Sequence, residues 1–178
     1  MVTIRKATVD DAEHIAAVHT KTWQVAYAEV MPPKFLAGID VAARADMWRR
    51  GIDGGLPPGA VFVAETVDEI VGFHAVGRFR DADGIRDDRV GEVIAIYVTP
   101  GHWSTGAGSA LMRAGLDHLV SHGLAEIRLW VVADNPRARR FYERFGFVAD
   151  GVERVEDFGA DYPGAKPVEE VRYTLHVR

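Results

Sequence analysis

Residues Val90 to Met112 read VGEVIAIYVTPGHWSTGAGSALM. The run from Val90 to Val98 is rich in β-branched residues, breaks at Pro100, passes through Gly106 and Gly108, and resumes at Leu111 and Met112 with helical spacing. β-Branched side chains suit the pleated surface of a sheet, proline cannot continue its ladder, and small residues permit the turn into a helix. The stretch is therefore a strand, a small-residue turn and a helix N-terminus. At such a junction backbone N–H groups converge at the positive end of a helix dipole, which makes a place for an anion.

The flanking segments follow the same logic. Upstream, Thr3 to Lys6 predicts a short strand, and DDAEHIAAVHTKTW predicts a helix. There Asp10 and Glu13 have capping-box spacing, while Ala12, Ile15, Ala16, His19 and Trp23 recur at helical intervals. Pro32 and Pro33 interrupt, and Asp40 caps a further helix, VAARADMWRRGI, that stops at DGGLPPG. From Ala60 the period changes: AVFVAET, a turn at Val67 to Glu69, and IVGFHAVGR read as a hairpin, with the acidic RDADGIRDD as a loop. Downstream, Leu111, Met112, Gly115, Leu116 and Leu119 form one helical stripe that ends near Gly123, and EIRLWVV is the next strand. Asn135 and Pro136 then start a helix carrying Ala138, Phe141, Tyr142 and Phe145, closed by Gly146. FVADGVE and EEVRYTL supply the last strands, joined by FGADYPGAKP. This order predicts an α/β fold over residues 1–178 as one domain: a single mixed, mostly antiparallel sheet flanked by helices.

Composition narrows the function classes. With 26 acidic against 21 basic residues the net charge is −5, which argues against general nucleic-acid binding and suits an amine-bearing partner. The absence of cysteine excludes disulfides, thiol nucleophiles and cysteine-based zinc sites. No apolar run approaches the ~20 residues of a membrane span, and MVTIRKATVDD lacks a secretory apolar region, so the expected location is cytoplasmic. His118 and His122 have metal-compatible spacing, but no Glu follows His118, and a hydrated helix face with no metal is the expectation.

Three phosphate sites compete for TGAGSAL. A P-loop needs a lysine here, and the lysines are Lys6, Lys21, Lys34 and Lys166. A dinucleotide fingerprint needs a third glycine where Leu111 stands. What remains is a pyrophosphate held by backbone amides alone, the arrangement used for coenzyme A, or a plain strand-to-helix turn.

The accompanying motifs bear on that choice. YVTP, then WSTGAG, then NPRARRFYERFGF together resemble the GNAT superfamily of N-acetyltransferases, whose members carry a Val-x-Pro-like strand end, Gln/Arg-x-x-Gly-x-Gly/Ala at a helix start, and Asn-x-x-Ala-x-x-Phe-Tyr-x-x-x-Gly-Phe. The last motif is complete from Asn135 to Phe147. Trp103 stands where the family has Gln or Arg, and Ser104 replaces a frequent glycine; the indole either covers the nucleotide or packs. The resemblance implies a GNAT-like acyltransferase fold and transfer of acetyl from acetyl-CoA to a primary amine in a ternary complex. It implies coenzyme contacts from Ile96, Tyr97 and Val98 at the strand end, from Trp103, Ser104, Thr105, Gly106, Ala107, Gly108 and Ser109 in the turn, and from Asn135, which also caps its helix. A coenzyme A-binding module without turnover, another acyl group and an oxygen acceptor remain alternatives, and monomer and homodimer are both open.

Two residues fit the chemistry. Strict alternation puts Glu92, at the start of the apolar strand, on one face with Ile94, Ile96 and Val98, where desolvation would raise its pKa toward that of a useful base. It stands eleven residues before Trp103, the spacing at which several GNAT members carry a glutamate. The motif makes Tyr142 the candidate acid for the departing thiolate, although Ala138, Phe141 and Phe145 share its apolar face. Trp23 and Tyr27, four apart in the first helix, are candidates for the acceptor pocket, with core packing expected for at least one.

Overall fold

The computed structural model describes residues 2–55, 58–80, 86–159 and 162–177. Its sheet has seven strands in the order β1-β2-β3-β4-β5-β7-β6: β1 Thr3–Lys6, β2 Ala60–Glu65, β3 Ile70–Arg80, β4 Arg86–Val98, β5 Glu126–Val132, β6 Val148–Glu156 and β7 Val168–His176. Every neighbouring pair is antiparallel except β4 and β5, which the helical crossover makes parallel. The mixed, mostly antiparallel sheet expected from the sequence is thus the observed one.

Helices cover both faces because each carries one apolar stripe. On one face α4, Ala107–Ser121, seats Leu111, Met112 and Leu119 against Phe62, Val76, Val93 and Ile127. On the other, Ile15 and Val18 of α1, Ala12–Ala26, pack on Val63 and Phe73, with α3, Val41–Asp53, alongside. A short α2, Pro33–Ala37, starts at the prolines that read as an interruption, since proline is tolerated in a first turn. The last helix, α5, spans Pro136–Glu143, and the Asn135 side chain accepts from the Ala138 N–H at 3.0 Å. Among the described residues no helix is long and apolar enough to cross a membrane.

The Asp10/Glu13 capping box does not form. A tight turn at Val9–Asp11 precedes α1, and the Asp11 carboxylate accepts from the Thr8 N–H at 2.8 Å and from two nitrogens of Arg5 at 2.7 and 2.9 Å. Those bonds hold the Asp11 carboxyl down at about 2.

The acidic loop is also shorter than its composition implies. Residues 81–85 lie outside the described residues, while Asp87 pairs with Phe79 within the extended β4. Glu92 is therefore in mid-strand, and its face is the reverse of the one alternation predicts. Val76 pairs with Val93 and Ala75 with Ala95, so Ile94 is an unpaired extra residue, a β-bulge. The bulge inverts the pattern beyond it. Val93, Ile96 and Val98 face α4, and Glu92 shares the α1 face with Ala95 and Tyr97.

One further feature shapes the site. The β4–β5 pairing stops at Glu92↔Arg128, whereas β5 stays paired with β7 from Glu126↔His176 to Val132↔Glu170. Beyond Glu92 the two parallel strands part, and the backbone of β4 from Val93 to Val98 has no strand partner on its β5 side.

Candidate active site

A cleft of about 1240 Å³ runs through the gap between β4 and β5, from the α4 N-terminus on one side of the sheet to the end of α1 on the other. On the α4 side it is lined by Ser104, Gly106, Gly108 and Ser109, by Asn135, and by Phe141 and Tyr142 of α5. Ile96, Tyr97 and Val98 line its middle, and Tyr27 and Glu92 lie on the α1 side. Three of the sequence-named residues fall elsewhere. Ala107 is buried beneath the sheet, Thr105 turns its hydroxyl to the His102 carbonyl at 2.7 Å, and Trp23 stands behind Tyr27, ring centroids 4.6 Å apart. Of the two aromatic candidates, only Tyr27 lines the cleft.

The turn is built to leave amides free. Gly106, the residue that begins α4, has φ +94°, a left-handed conformation open to glycine at no steric cost, and no side chain caps the helix. The first N–H groups of α4 thus lack intrahelical acceptors and point at the cleft end with the dipole behind them. Ser104 also has positive φ, +62°, which is where the family's glycine would be relaxed. Trp103 packs: its indole N–H donates to the Val98 carbonyl at 2.7 Å, and the Arg137 guanidinium lies 3.7 Å above the ring. Arg137 and Arg140 of α5 and Arg144 at its C-terminal cap recur at helical spacing and line the cleft. That spacing is visible in the sequence as a cationic stripe suited to an anionic ligand.

On the α1 side the polar groups are few and buried. Glu92 is 9% exposed, its Oε2 has no hydrogen-bond partner, and the nearest cation is Arg80 Nε at 4.0 Å. Burial raises its pKa, and the charges of Arg80 and Arg154 only partly offset that. Tyr97, stacked on His19 at 5.5 Å, accepts from the Trp23 indole at 3.3 Å. Burial raises the hydroxyl pKa of Tyr27, Tyr97 and Tyr142, so each is protonated at neutral pH. Trp130, Arg154 and Glu170 complete this wall. Trp130 alternates with the inward Ile127, Leu129 and Val131, which is the one sequence signal for it; Arg154 and Glu170 face each other across the β6–β7 ladder, and their place beside Trp130 depends on β7 lying between β5 and β6, which no local pattern encodes. His118 of α4 and His122 just beyond it do not line the cleft: His118 Nε2 meets the Pro58 carbonyl at 3.0 Å, and its ring lies tilted against His122 with centroids 4.3 Å apart.

Comparison with known proteins gives this arrangement a family. The acetyltransferase (GNAT) family model matches residues 23–147, and the chain belongs to that family of N-acetyltransferases, which are acyltransferase enzymes. An uncharacterised N-acetyltransferase of Bacillus subtilis (strain 168), YuaI, is 32% identical over 175 residues, covering 92% of this chain and 94% of that protein. A mycothiol acetyltransferase of Thermobispora bispora is 40% identical over 102 residues, which cover 57% of this chain and 34% of that longer relative. Among solved structures, an N-acetyltransferase from Staphylococcus aureus Mu50 superposes with a TM-score of 0.75 at 18% identity, covering 100% and 99% of the two chains. The PaiA N-acetyltransferase of Thermoplasma acidophilum, solved in complex with coenzyme A, does so with 0.73 at 16% identity, covering 99% of each. These two likenesses are of fold.

Proposed function

We propose that the chain transfers an acetyl group from acetyl-CoA to a primary amine of a small molecule or peptide, by direct attack in a ternary complex. The observation that carries this reading is the continuity of the cleft through the opened sheet, with uncapped helix amides at one end and a buried carboxylate at the other. The amides of Gly108 and Ser109 would hold the pyrophosphate, and the backbone from Ile96 to Val98 that lacks a β5 partner, apart from the Val98 carbonyl already met by Trp103, would bond the pantetheine arm. The co-substrate supplies a thioester. Glu92, directly or through one water, takes a proton from the ammonium form of the acceptor, and the amine nitrogen then bonds to the carbonyl carbon. As the C–S bond breaks, the electron pair goes to sulfur, Tyr142, kept protonated by burial, gives its proton to the thiolate, and the tyrosinate recovers a proton, through water, from the nitrogen as that becomes the amide. The absence of cysteine agrees with direct attack.

The test is a panel of amines assayed with acetyl-CoA, alongside calorimetric coenzyme binding. Turnover is expected on at least one amine, and Tyr142→Phe should lower kcat more than it weakens the coenzyme. Coenzyme binding with no turnover on any acceptor would make the chain a binding module, and an unchanged kcat would remove Tyr142 from the mechanism.

A further inference from the structure

The cleft is the gap between two parted strands, and one pair of exposed side chains reaches across it. Trp103 is carried by the continuation of β4 and Arg137 by the helix that follows β5, yet the guanidinium lies 3.7 Å from the centre of the indole ring. The two halves of this contact differ in freedom. Trp103 is fixed to its own strand: its indole N–H donates to the Val98 carbonyl at 2.7 Å, and its backbone N–H bonds to the Pro100 carbonyl at 3.2 Å. The turn beneath it is closed as well, by the His102 N–H on the Thr99 carbonyl at 2.9 Å. Arg137 is held only by the ring, for among the described residues no carboxylate lies within 4.0 Å of its guanidinium. The other crossing, where Phe141 of α5 comes beside Gly108 of α4, packs against the core.

A ring fixed on one wall and a long arm from the other make a closure that opens by side-chain motion alone. Resting on the acetyltransferase reading for the identity of the ligand, we infer that Trp103 and Arg137 form a clasp over the α4 end of the cleft. Coenzyme A enters and leaves when Arg137 swings off the ring. The indole serves here as a platform and not as a donor to the ligand, because its one N–H is spent on Val98. It offers the flat aromatic face on which a guanidinium stacks. The ring is 40% exposed, so the stack is a weak one, and the clasp stands open for about a tenth to a half of the time. A clasp that closes on both the empty and the loaded cleft slows entry and exit alike. It changes the two rate constants far more than their ratio.

Surface plasmon resonance on the immobilised protein gives both rate constants for coenzyme A. Arg137→Ala, at an exposed position, should raise kon and koff together, each by about two- to tenfold, and leave Kd within about twofold. Losing a simple charge contact to a phosphate does otherwise: kon falls or koff alone rises. That pattern, or rates that do not move, would overturn the clasp. Arg137→Lys keeps the charge without the planar stack and should follow alanine, whereas a lysine variant that matches the parent would mean that charge alone matters. Trp103→Leu should raise both rates as Arg137→Ala does, and the double variant should add nothing to either; additive effects would count against a shared contact. Rates that respond in this way in a protein that acetylates no amine would sink the transferase reading and leave the clasp standing. A parent that binds no coenzyme A would refute both.

Discussion

Two glycines of α4 separate what the helix does for stability from what it does for binding. A Cβ on Gly115 would lie 2.2 Å from His74 Cε1, 2.5 Å from its Nδ1 and 2.9 Å from Val76 Cγ1, distances that demand movement. His74 is fully buried and its Nδ1 is bonded to the Leu111 carbonyl at 2.9 Å, so the ring cannot retreat without breaking that bond. Overpacking costs about 1–3 kcal/mol and a stranded buried polar group a further ~1–3 kcal/mol, against a helix-propensity gain of about 1 kcal/mol. Gly115→Ala should therefore destabilise by roughly 1–5 kcal/mol. At Gly108 the added Cβ meets only Phe141 at 3.6 and 3.7 Å and Val98 at 3.7 Å, which is ordinary contact. Gly108→Ala should hold or raise stability by up to ~1 kcal/mol. Its methyl group would nevertheless crowd the amides at the cleft, and losing one amide bond to a phosphate, worth ~1.5–3 kcal/mol, weakens coenzyme binding about ten- to hundredfold. Urea denaturation and calorimetric titration of coenzyme A on both variants read the two effects. A Gly108→Ala protein that is stable and binds coenzyme A as tightly as the parent would refute the amide cradle.

Other outcomes follow from single features of the site and its frame. Ser104→Gly should raise stability by about 0.5–1 kcal/mol by relaxing a positive φ, and Ser104→Val should lower it, both read by thermal melting; a stabilising valine would mean that the loop is not held in this conformation. Burial raises the Glu92 pKa, so the acidic limb of the rate profile belongs partly to that carboxyl. Glu92→Gln should lower kcat/KM most at pH values above the Glu92 pKa and below that of the amine, where the carboxylate is ionised and the amine still protonated. The gap should close at lower pH as Glu92 itself is protonated, and a profile that overlays the parent's would remove Glu92 as base. The Asp11 carboxyl falls from 3.8 unfolded to about 2 folded, so its stabilisation is complete above pH 3.8 and is lost as the pH falls through 2. Allowing for solvent at the partly exposed Arg5, Asp11→Asn should cost about 1–2 kcal/mol at pH 7 by chemical denaturation. The gap between variant and parent should close at strongly acid pH, and a gap that persists there would assign the effect to packing.

The parts of the fold that announce themselves locally were legible. β-Branched runs and the Asn135–Pro136 helix start mark their elements, and the YVTP, WSTGAG and NPRARRFYERFGF motifs mark the end of the cleft at the α4 N-terminus. Long-range geometry was not. Period-two alternation presumes an unbroken ladder, and the extra residue at Ile94 breaks it, so Glu92 lands on the α1 face by a route that alternation misassigns. Trp23 and Tyr27 are one helical turn apart and share a face, yet Tyr97 and the outer ring of Tyr27 take up Trp23, leaving only Tyr27 at the cleft. Glu170 and Arg154 meet across β7 and β6, 16 residues apart, and only the strand order brings them beside Trp130.

That strand order has a consequence for synthesis. β7 lies between β5 and β6, and it is the last strand of the described chain. A chain emerging from the ribosome could pair β1 through β4 and seat α4 early, but β5 has only a short parallel contact with β4, and β6 has no neighbour other than β7. The half of the cleft made by Trp130, Arg154 and Glu170 therefore assembles only after Val168–His176 have left the exit tunnel. Until then two strand edges stand open, which is where a nascent chain of this protein is most exposed to wrong pairing.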